Sequence, residues 1–310
     1  MVRVENLSKR YGRHWALDNV SFEVPDGCVY GFVGPNGAGK TTTLKILATL
    51  LEPTSGRAWV GGAEVTTSPY AVRRKIGYMP DFFGVYDDLR VLEYLEFYAS
   101  AYDIDLSRKE QLFQDLLALV DLEDKADAYV DTLSRGMKQR LCLARCLVHD
   151  PDLLILDEPA SGLDPRARVE MRGLLKELGK MGKTVIISSH ILTELSEICT
   201  DIGIIHNGRL VYSGPVADAM NRMTRGRDLE IACLGPIAPA CAFLAAYQGV
   251  RQVKTIGDQL LQVAFEGDRE AQSRLVADLV GAGIAITSFR EVGGNLEDVF
   301  MQLTAEVAGR

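Results

Sequence analysis

VYGFVGPNGAGKTTTLKIL, residues 29–47, is the stretch on which the fold turns. Its first five residues, Val29–Val33, are apolar throughout, as a central parallel strand buried on both faces must be. Gly34-Pro35-Asn36-Gly37 ends that run, and a helical stretch from Thr41 to Leu51 follows at once. From Gly34 to Thr42 the spacing is Gly-x4-Gly-Lys-Thr. Consecutive amides in such a loop must point at one polyphosphate, and glycines allow the turns and the close approach. A helix beginning at Lys40-Thr41 adds the partial positive charge of its N-terminus. Lys40 supplies a point charge to the β- and γ-phosphates, and the Thr41 hydroxyl is placed to ligate Mg2+. Gly34, Pro35, Asn36, Gly37, Ala38, Gly39, Lys40, Thr41 and Thr42 are therefore the expected cradle for a nucleoside triphosphate.

Two more buried-strand runs lie further along, at Asp152–Asp157 and Thr184–Ser188. With the first they make an alternation of strands and helices, the mark of an α/β domain with a largely parallel sheet. In such sheets the carboxyl ends of the strands open onto the ligand crevice. Asp157-Glu158-Pro159 sits at one such end. Asp157 is expected to hold Mg2+ and Glu158, one residue on, to act on the attacking water as general base. His190 closes the strand TVIISSH and is expected to meet the γ-phosphate on the same edge.

Between about Leu89 and Val130 the pattern becomes helical. VLEYLEFYASAY and RKEQLFQDLLALVDL repeat apolar residues at three and four, as an insertion carried on the α/β core would. Tyr94, Phe97 and Tyr98 are expected in its core. After Gly214-Pro215 the runs LEIACL, APACAFLAAY, RQVKTI, LLQVAF, REAQSRLVADLV and AITSFREV suggest β-α-β-β-α-β, with a Gly257-Asp258 turn and a last helix from Asn295. That order is the split βαβ arrangement.

The length of 310 residues suits about two domains. At 47% hydrophobic and 25% charged, the composition excludes a disordered or fibrous chain. The net charge of -8 gives no pull toward phosphate backbones, so nucleic acid is not an expected partner. The six cysteines form no CxxC pair and read as small buried hydrophobes in a reducing compartment. MVRVENLSKRYGR is too polar for a secretory signal. Residues 231–250 carry no charge, but Pro236, Pro239 and Gln248 favour a strand, a turn and a soluble helix over a membrane span.

Further motifs give a resemblance. LSRGMKQR, Leu133 to Arg140, is similar to the signature motif of ATP-binding cassette (ABC) transporters, and SGLDP, Ser161 to Pro165, resembles their D-loop. His190 matches the switch histidine and Tyr11 the aromatic that stacks on adenine. The match runs over residues 1–215 in motif order and implies a P-loop NTPase cassette of the ABC type, with a helical subdomain at about 89–145. Residues 216–310 would form a small ferredoxin-like α+β accessory domain. The resemblance implies that two cassettes, a homodimer or a paired cassette, pack head to tail. Ser134 and the Gly136 amide would then touch the γ-phosphate held by the other subunit, and Asp164 would be the key D-loop position. It implies an Mg2+-dependent ATPase on the cytoplasmic face of the membrane, energising a separate permease.

GGNLEDVFMQLT, near the end, resembles the tail of ATPases serving ABC-2 type permeases, mostly exporters. Two departures stand out. The signature reads LSRGM where the family has LSGGQ, so Arg135 and Met137 are substitutions. Asp81 in IGYMPD stands where the family usually has a glutamine that reaches Mg2+ and the attacking water. Asp81 keeps an oxygen ligand, so it is a candidate for catalysis and for the metal, but it adds negative charge beside Asp157 and Glu158. That charge leaves room for a nucleotide-gated module with weak hydrolysis. A soluble ABC ATPase working on ribosomes or DNA is a further alternative, disfavoured by the single phosphate loop, the short insertion and the acidic balance.

Overall fold

The computed structural model describes residues 2–82, 84, 88–105, 107, 109–191, 195–223 and 227–292. The chain divides into two compact units, Met1–Val216 and Ala217–Arg310. In the first, β1 (Val2–Tyr11) and β2 (His14–Val24) pair antiparallel around Gly12, whose φ of 57° suits glycine. β3 (Val29–Val33) leads through the glycine-rich loop into α1 (Lys40–Leu47). The helix expected to reach Leu51 stops there, because Thr49 turns the chain at φ 60° and the Leu50 N–H caps back on Lys45 O at 2.8 Å. Next come β4 (Ser55–Val60), β5 (Ala63–Glu64), α2 (Pro69–Arg73) and β6 (Ile76–Met79).

The helical insertion follows as α3 (Val91–Ala101), α4 (Lys109–Leu119) and, after two short 3-10 turns, α5 (Arg135–Leu147). In α3 the buried stripe is Val91, Tyr94, Leu95 and Ala99. Phe97 falls off that stripe and is 48% exposed, so its expected place in the core is not where it lies. It packs edge-on against Tyr98, with ring centroids 5.2 Å apart. Arg140, buried in α5, donates to Val120 O, Asp121 O and Asp121 Oδ2 and so ties this helix to the end of α4.

β7 (Leu153–Asp157), α6 (Pro165–Lys180), β8 (Thr184–Ser189), β9 (Asp201–His206) and β10 (Arg209–Pro215) complete the unit. The larger sheet runs β10-β9-β3-β8-β7-β6. It is parallel except for β10, as the both-faces-apolar runs require. A second sheet, β2-β1-β4-β5, is antiparallel and was not foreseen from the strand–helix alternation. One core joins the two. Leu44, Ile46 and Leu47 of α1 are fully buried in it, with Leu7 and Phe22 from the antiparallel sheet and Phe32, Ile155 and Ile186 from the parallel one. The helix that begins at the phosphate loop is thus held from both sides.

The second unit takes in α7 (Val216–Met223) after its first residue. β11 (Arg227–Cys233), α8 (Ala238–Ala245), β12 (Val250–Thr255), β13 (Leu260–Phe265), α9 (Arg269–Gly281) and β14 (Ile286–Val292) follow. Their order is β-α-β-β-α-β, and the sheet β12-β13-β11-β14 is antiparallel throughout. Leu229, Ile231, Leu244, Leu261, Phe265 and Leu275 are central to its own core. The uncharged stretch 231–250 is the end of β11, then α8, and among the described residues no helix is long and apolar enough to cross a membrane. GGNLEDVFMQLT and the helix expected from Asn295 lie outside the described residues. All six cysteines are free thiols; five are buried and Cys241 is half-buried.

Candidate active site at the carboxyl edge of the parallel sheet

β3, β7 and β8 are neighbours, with Val33 opposite Ser189 and Ser188 opposite Asp157. Gly34, Glu158 and His190, each the next residue after its strand, therefore leave the sheet on one edge. The phosphate loop is forced by its packing. A Cβ at Gly34 would lie 2.3 Å from Ile205 O, and one at Gly39 would lie 2.6 Å from Ala16 O. Gly39 also takes φ 112°, which L side chains avoid. Lys40 folds back so that Nζ donates to Gly34 O at 2.6 Å and stands 3.4 Å from Glu158 Oε1.

The carboxylates are tied to the loop and to β8. Thr41 Oγ1 donates to Asp157 Oδ1 at 3.1 Å, and Ser188 Oγ donates to the same oxygen at 2.6 Å. That hydroxyl also accepts the Glu158 N–H at 2.9 Å. Asp157 is 1% exposed. Burial raises its pKa above the ordinary carboxylate value, the Ser188 and Thr41 hydroxyls oppose the shift, and the charges of Asp81 and Glu158 add to it. Glu158 has φ 50°, a left-handed conformation that costs a non-glycine residue of order 1–3 kcal/mol. Its Oε2 lies 2.8 Å from His190 Nδ1, so both carboxylate oxygens are engaged.

These groups enclose an open cavity of about 260 Å³, walled by Pro35, Asn36, Gly37, Gly39, Lys40, Thr41 and Thr42 on one side and by Asp81, Glu158 and His190 on the other. Gly34 and Ala38 shape the loop from behind, through the Lys40 contact and the Ala38 N–H to Pro35 O bond at 3.1 Å. Ala16, which no motif contains, and Ser161, the first residue of SGLDP, also line the cavity. Ser188 was missed as well, because the register that sets it beside Asp157 is invisible in sequence. Tyr11 is not in the cavity wall: it is 49% exposed at the end of β1, with Lys9 Nζ 5.4 Å from its ring centroid.

Ser134, Gly136 and Asp164 also stand outside the cavity. Ser134 caps α5 by accepting the Met137 N–H at 3.3 Å, and Gly136 lies where a Cβ would come within 3.0 Å of Ala167 Cβ. Asp164 caps α6, its Oδ1 accepting the N–H groups of Arg166 and Ala167. The donor set suits Mg2+ in its usual protein mode, one or two carboxylates and a hydroxyl completed by substrate phosphates. Thr41 and Asp157 are already in contact, and Asp81 faces the same cavity.

The sequence signature of the ABC transporter family matches residues 17–161. The Nod factor export ATP-binding protein I of Cupriavidus metallidurans is 34% identical, over 98% of this chain and 97% of its own length. The linearmycin resistance ATP-binding protein LnrL of Bacillus subtilis is 30% identical, over 98% of both chains. The daunorubicin resistance ATP-binding protein DrrA3 of Streptomyces coeruleorubidus is 34% identical, over 98% of this chain and 96% of its own. Among solved structures, an ATP-binding subunit of an ABC transporter superposes with TM-score 0.66 at 31% identity, covering 72% of this chain and 93% of that one. A dimeric ATP-binding cassette, MJ0796, in a post-hydrolysis state with ADP and Pi, superposes with TM-score 0.64 at 27% identity, covering 70% of this chain and 99% of that one. With the phosphate loop, paired carboxylates and histidine on one sheet edge, these likenesses make the conclusion plain: the chain belongs to the ATP-binding proteins of ABC transporters, and it is the ATPase subunit of such a transporter.

Proposed function

We propose that this subunit hydrolyses ATP between two head-to-tail cassettes and so drives a separate membrane permease of the ABC-2 type, working as an exporter. The observation that carries the reading is the convergence of Lys40, Thr41, Asp157, Glu158 and His190 at one cavity. Lys40 and the loop amides bind the phosphates, Glu158 takes a proton from the attacking water, and His190, beside Glu158, meets the γ-phosphate. Thr41, Asp157 and Asp81 would hold Mg2+, which when bound neutralises phosphate charge. Ser134, Gly136 and Asp164 would serve the second cassette's nucleotide, since they lie outside their own chain's cavity. Tyr11 would stack on adenine from its exposed position.

Export is supported by the relatives, one named for Nod factor export and two for resistance to linearmycin and daunorubicin. The permease would dock in a groove of about 1130 Å³ between α2, β6 and the helical insertion, lined by Tyr70, Arg74, Tyr78, Pro80, Tyr98 and Arg145. Pro80 in that groove adjoins Asp81 in the nucleotide cavity, so movement of the partner has a one-residue path to the site. The subunit would then sit peripherally on the cytoplasmic face of the membrane. Asp81 supports a second reading, a nucleotide-gated module with slow hydrolysis, because it brings a further carboxylate to a cavity that already holds Glu158.

The test is the solution mass of Glu158→Gln with and without Mg-ATP, beside the ATPase rate of the unaltered chain. A shift from monomer to dimer on ATP alone, with hydrolysis only in the unaltered chain, is the expected result. Hydrolysis undiminished in Glu158→Gln would refute the assignment of the base.

A further inference from the structure

Arg135 is the first residue of α5, directly after the cap Ser134. Its side chain does not simply point into solvent. Nη2 donates to Ser161 O at 3.1 Å, and a Cβ at Gly162 would fall 2.4 Å from Arg135 Cζ, so the guanidinium lies against the Cα of Gly162. Gln139, one turn along and buried, donates Nε2 to the same Ser161 oxygen at 3.3 Å. The Ser161 N–H in turn donates to Glu158 O at 3.0 Å, closing a tight turn, and the Glu158 N–H is held by Ser188 Oγ at 2.9 Å. The turn that keeps Glu158 at a positive φ is therefore pinned at both ends, by a β8 hydroxyl before it and by α5 donors after it.

We infer that Arg135 is a positioning residue for Glu158 of its own chain, acting through Ser161 and Gly162. This rests on Glu158 being the hydrolytic base, as proposed above. A strained residue keeps its conformation only where its surroundings over-determine it, and a charged donor on the Ser161 carbonyl gives a stronger tether than a neutral one. The helix whose N-terminus faces the partner's nucleotide under the head-to-tail reading thus also braces the base of its own site. Arginine in place of the family's glycine adds a link that glycine has no side chain to make.

The test compares the full chain with Arg135→Ala and Arg135→Lys, and with Arg135→Ala combined with Glu158→Gln. Arg135 is exposed, so the variants should fold. In Arg135→Ala, kcat is expected to fall about tenfold to a hundredfold, the scale for a misplaced catalytic group, with KM for ATP unchanged within about twofold. Lysine, which can still donate to Ser161 O, should restore part of the loss. The double variant should turn over no more slowly than Glu158→Gln alone and should show the same ATP-dependent mass. A raised KM with loss of ATP-driven dimerisation would place Arg135 on the partner's nucleotide instead, and an unchanged kcat would remove any role. Additive losses in the double variant would also overturn the proposal. If Glu158→Gln alone keeps full turnover, the base assignment has failed, an outcome distinct from these.

Discussion

Lys40 Nζ and Glu158 Oε1 stand 3.4 Å apart, their side chains only 6% and 13% exposed. The cation proposed to bind the phosphates is thus shared with the carboxylate proposed to act on water. Removing the carboxylate charge frees Lys40 and relieves repulsion of the phosphates. Glu158→Gln is therefore expected to lower turnover by about 10²–10⁴, the usual worth of a general base, while ATP binds as tightly as before or more tightly. Phosphate release and equilibrium ATP titration measure the two effects. Weakened binding would mean that Glu158 belongs to the binding machinery.

The converse variant has the opposite signature. Lys40 Nζ is buried and donates to Gly34 O, so it also braces the loop it serves. Hydrogen bonds to charged groups are worth about 1.5–3 kcal/mol each, and Lys40→Ala forfeits those to two phosphates. ATP affinity should drop roughly a hundredfold or more, read by titration with a fluorescent nucleotide. Unchanged affinity would remove the loop assignment.

Asp157 offers a pH test. Its carboxyl is harder to ionise in the folded chain than in the unfolded one, chiefly because of burial. Ionisation therefore favours unfolding: the penalty is absent below the ordinary value of 3.8 and grows as pH rises through the higher folded value. Asp157→Asn keeps an oxygen for the Thr41 and Ser188 hydroxyls. It should raise Tm at neutral pH, by an amount that vanishes in acid, while hydrolysis is lost. A Tm difference that does not change with pH would show that ionisation of Asp157 does not govern stability.

The parallel sheet, the phosphate loop and the carboxylates were legible because each is local: an apolar run, a glycine spacing and a charged pair at a strand end. What sequence could not show was pairing across the chain. β1 and β2 alternate buried and exposed residues only at Val2–Val4 and Val20–Val24, and bulges break the pattern between, so neither the strands nor the β2-β1-β4-β5 sheet they join stood out. Ser188 is an ordinary strand serine until the register sets it opposite Asp157. Ser161 is one residue of a motif until its N–H closes on Glu158 O. Asp81 was legible only as a departure from a family pattern, and the cavity gives it neighbours.

Those neighbours make Asp81→Gln informative. Asp81 raises the pKa of Asp157 through its charge, so it adds like-charge repulsion to the carboxylate beside which it would hold Mg2+. Like-charge repulsion at a partly solvated cleft is about 1 kcal/mol, or about fivefold in rate. Asp81→Gln is expected to leave ATP affinity nearly intact and to raise turnover by about that factor. A loss of folding or of binding would show that Asp81 is structural, and a fall in turnover would make its charge part of the chemistry.

Asp164 tests whether a cap is all that the D-loop residue supplies. Its Oδ1 accepts N–H groups at 2.9 and 3.0 Å from Arg166 and Ala167, at the start of α6. Loss of such a cap typically costs about 1 kcal/mol, which in a unit of this size lowers Tm by about 2–4 °C. Asparagine caps as well as aspartate does but carries no charge. Asp164→Ala should therefore lower Tm and Asp164→Asn should not. If Asp164 also faces the second cassette, both variants should lose turnover, since the charge is gone from each. Full turnover in Asp164→Asn, with the stability loss confined to Asp164→Ala, would reduce Asp164 to a helix cap and leave the trans contact to Ser134 and Gly136.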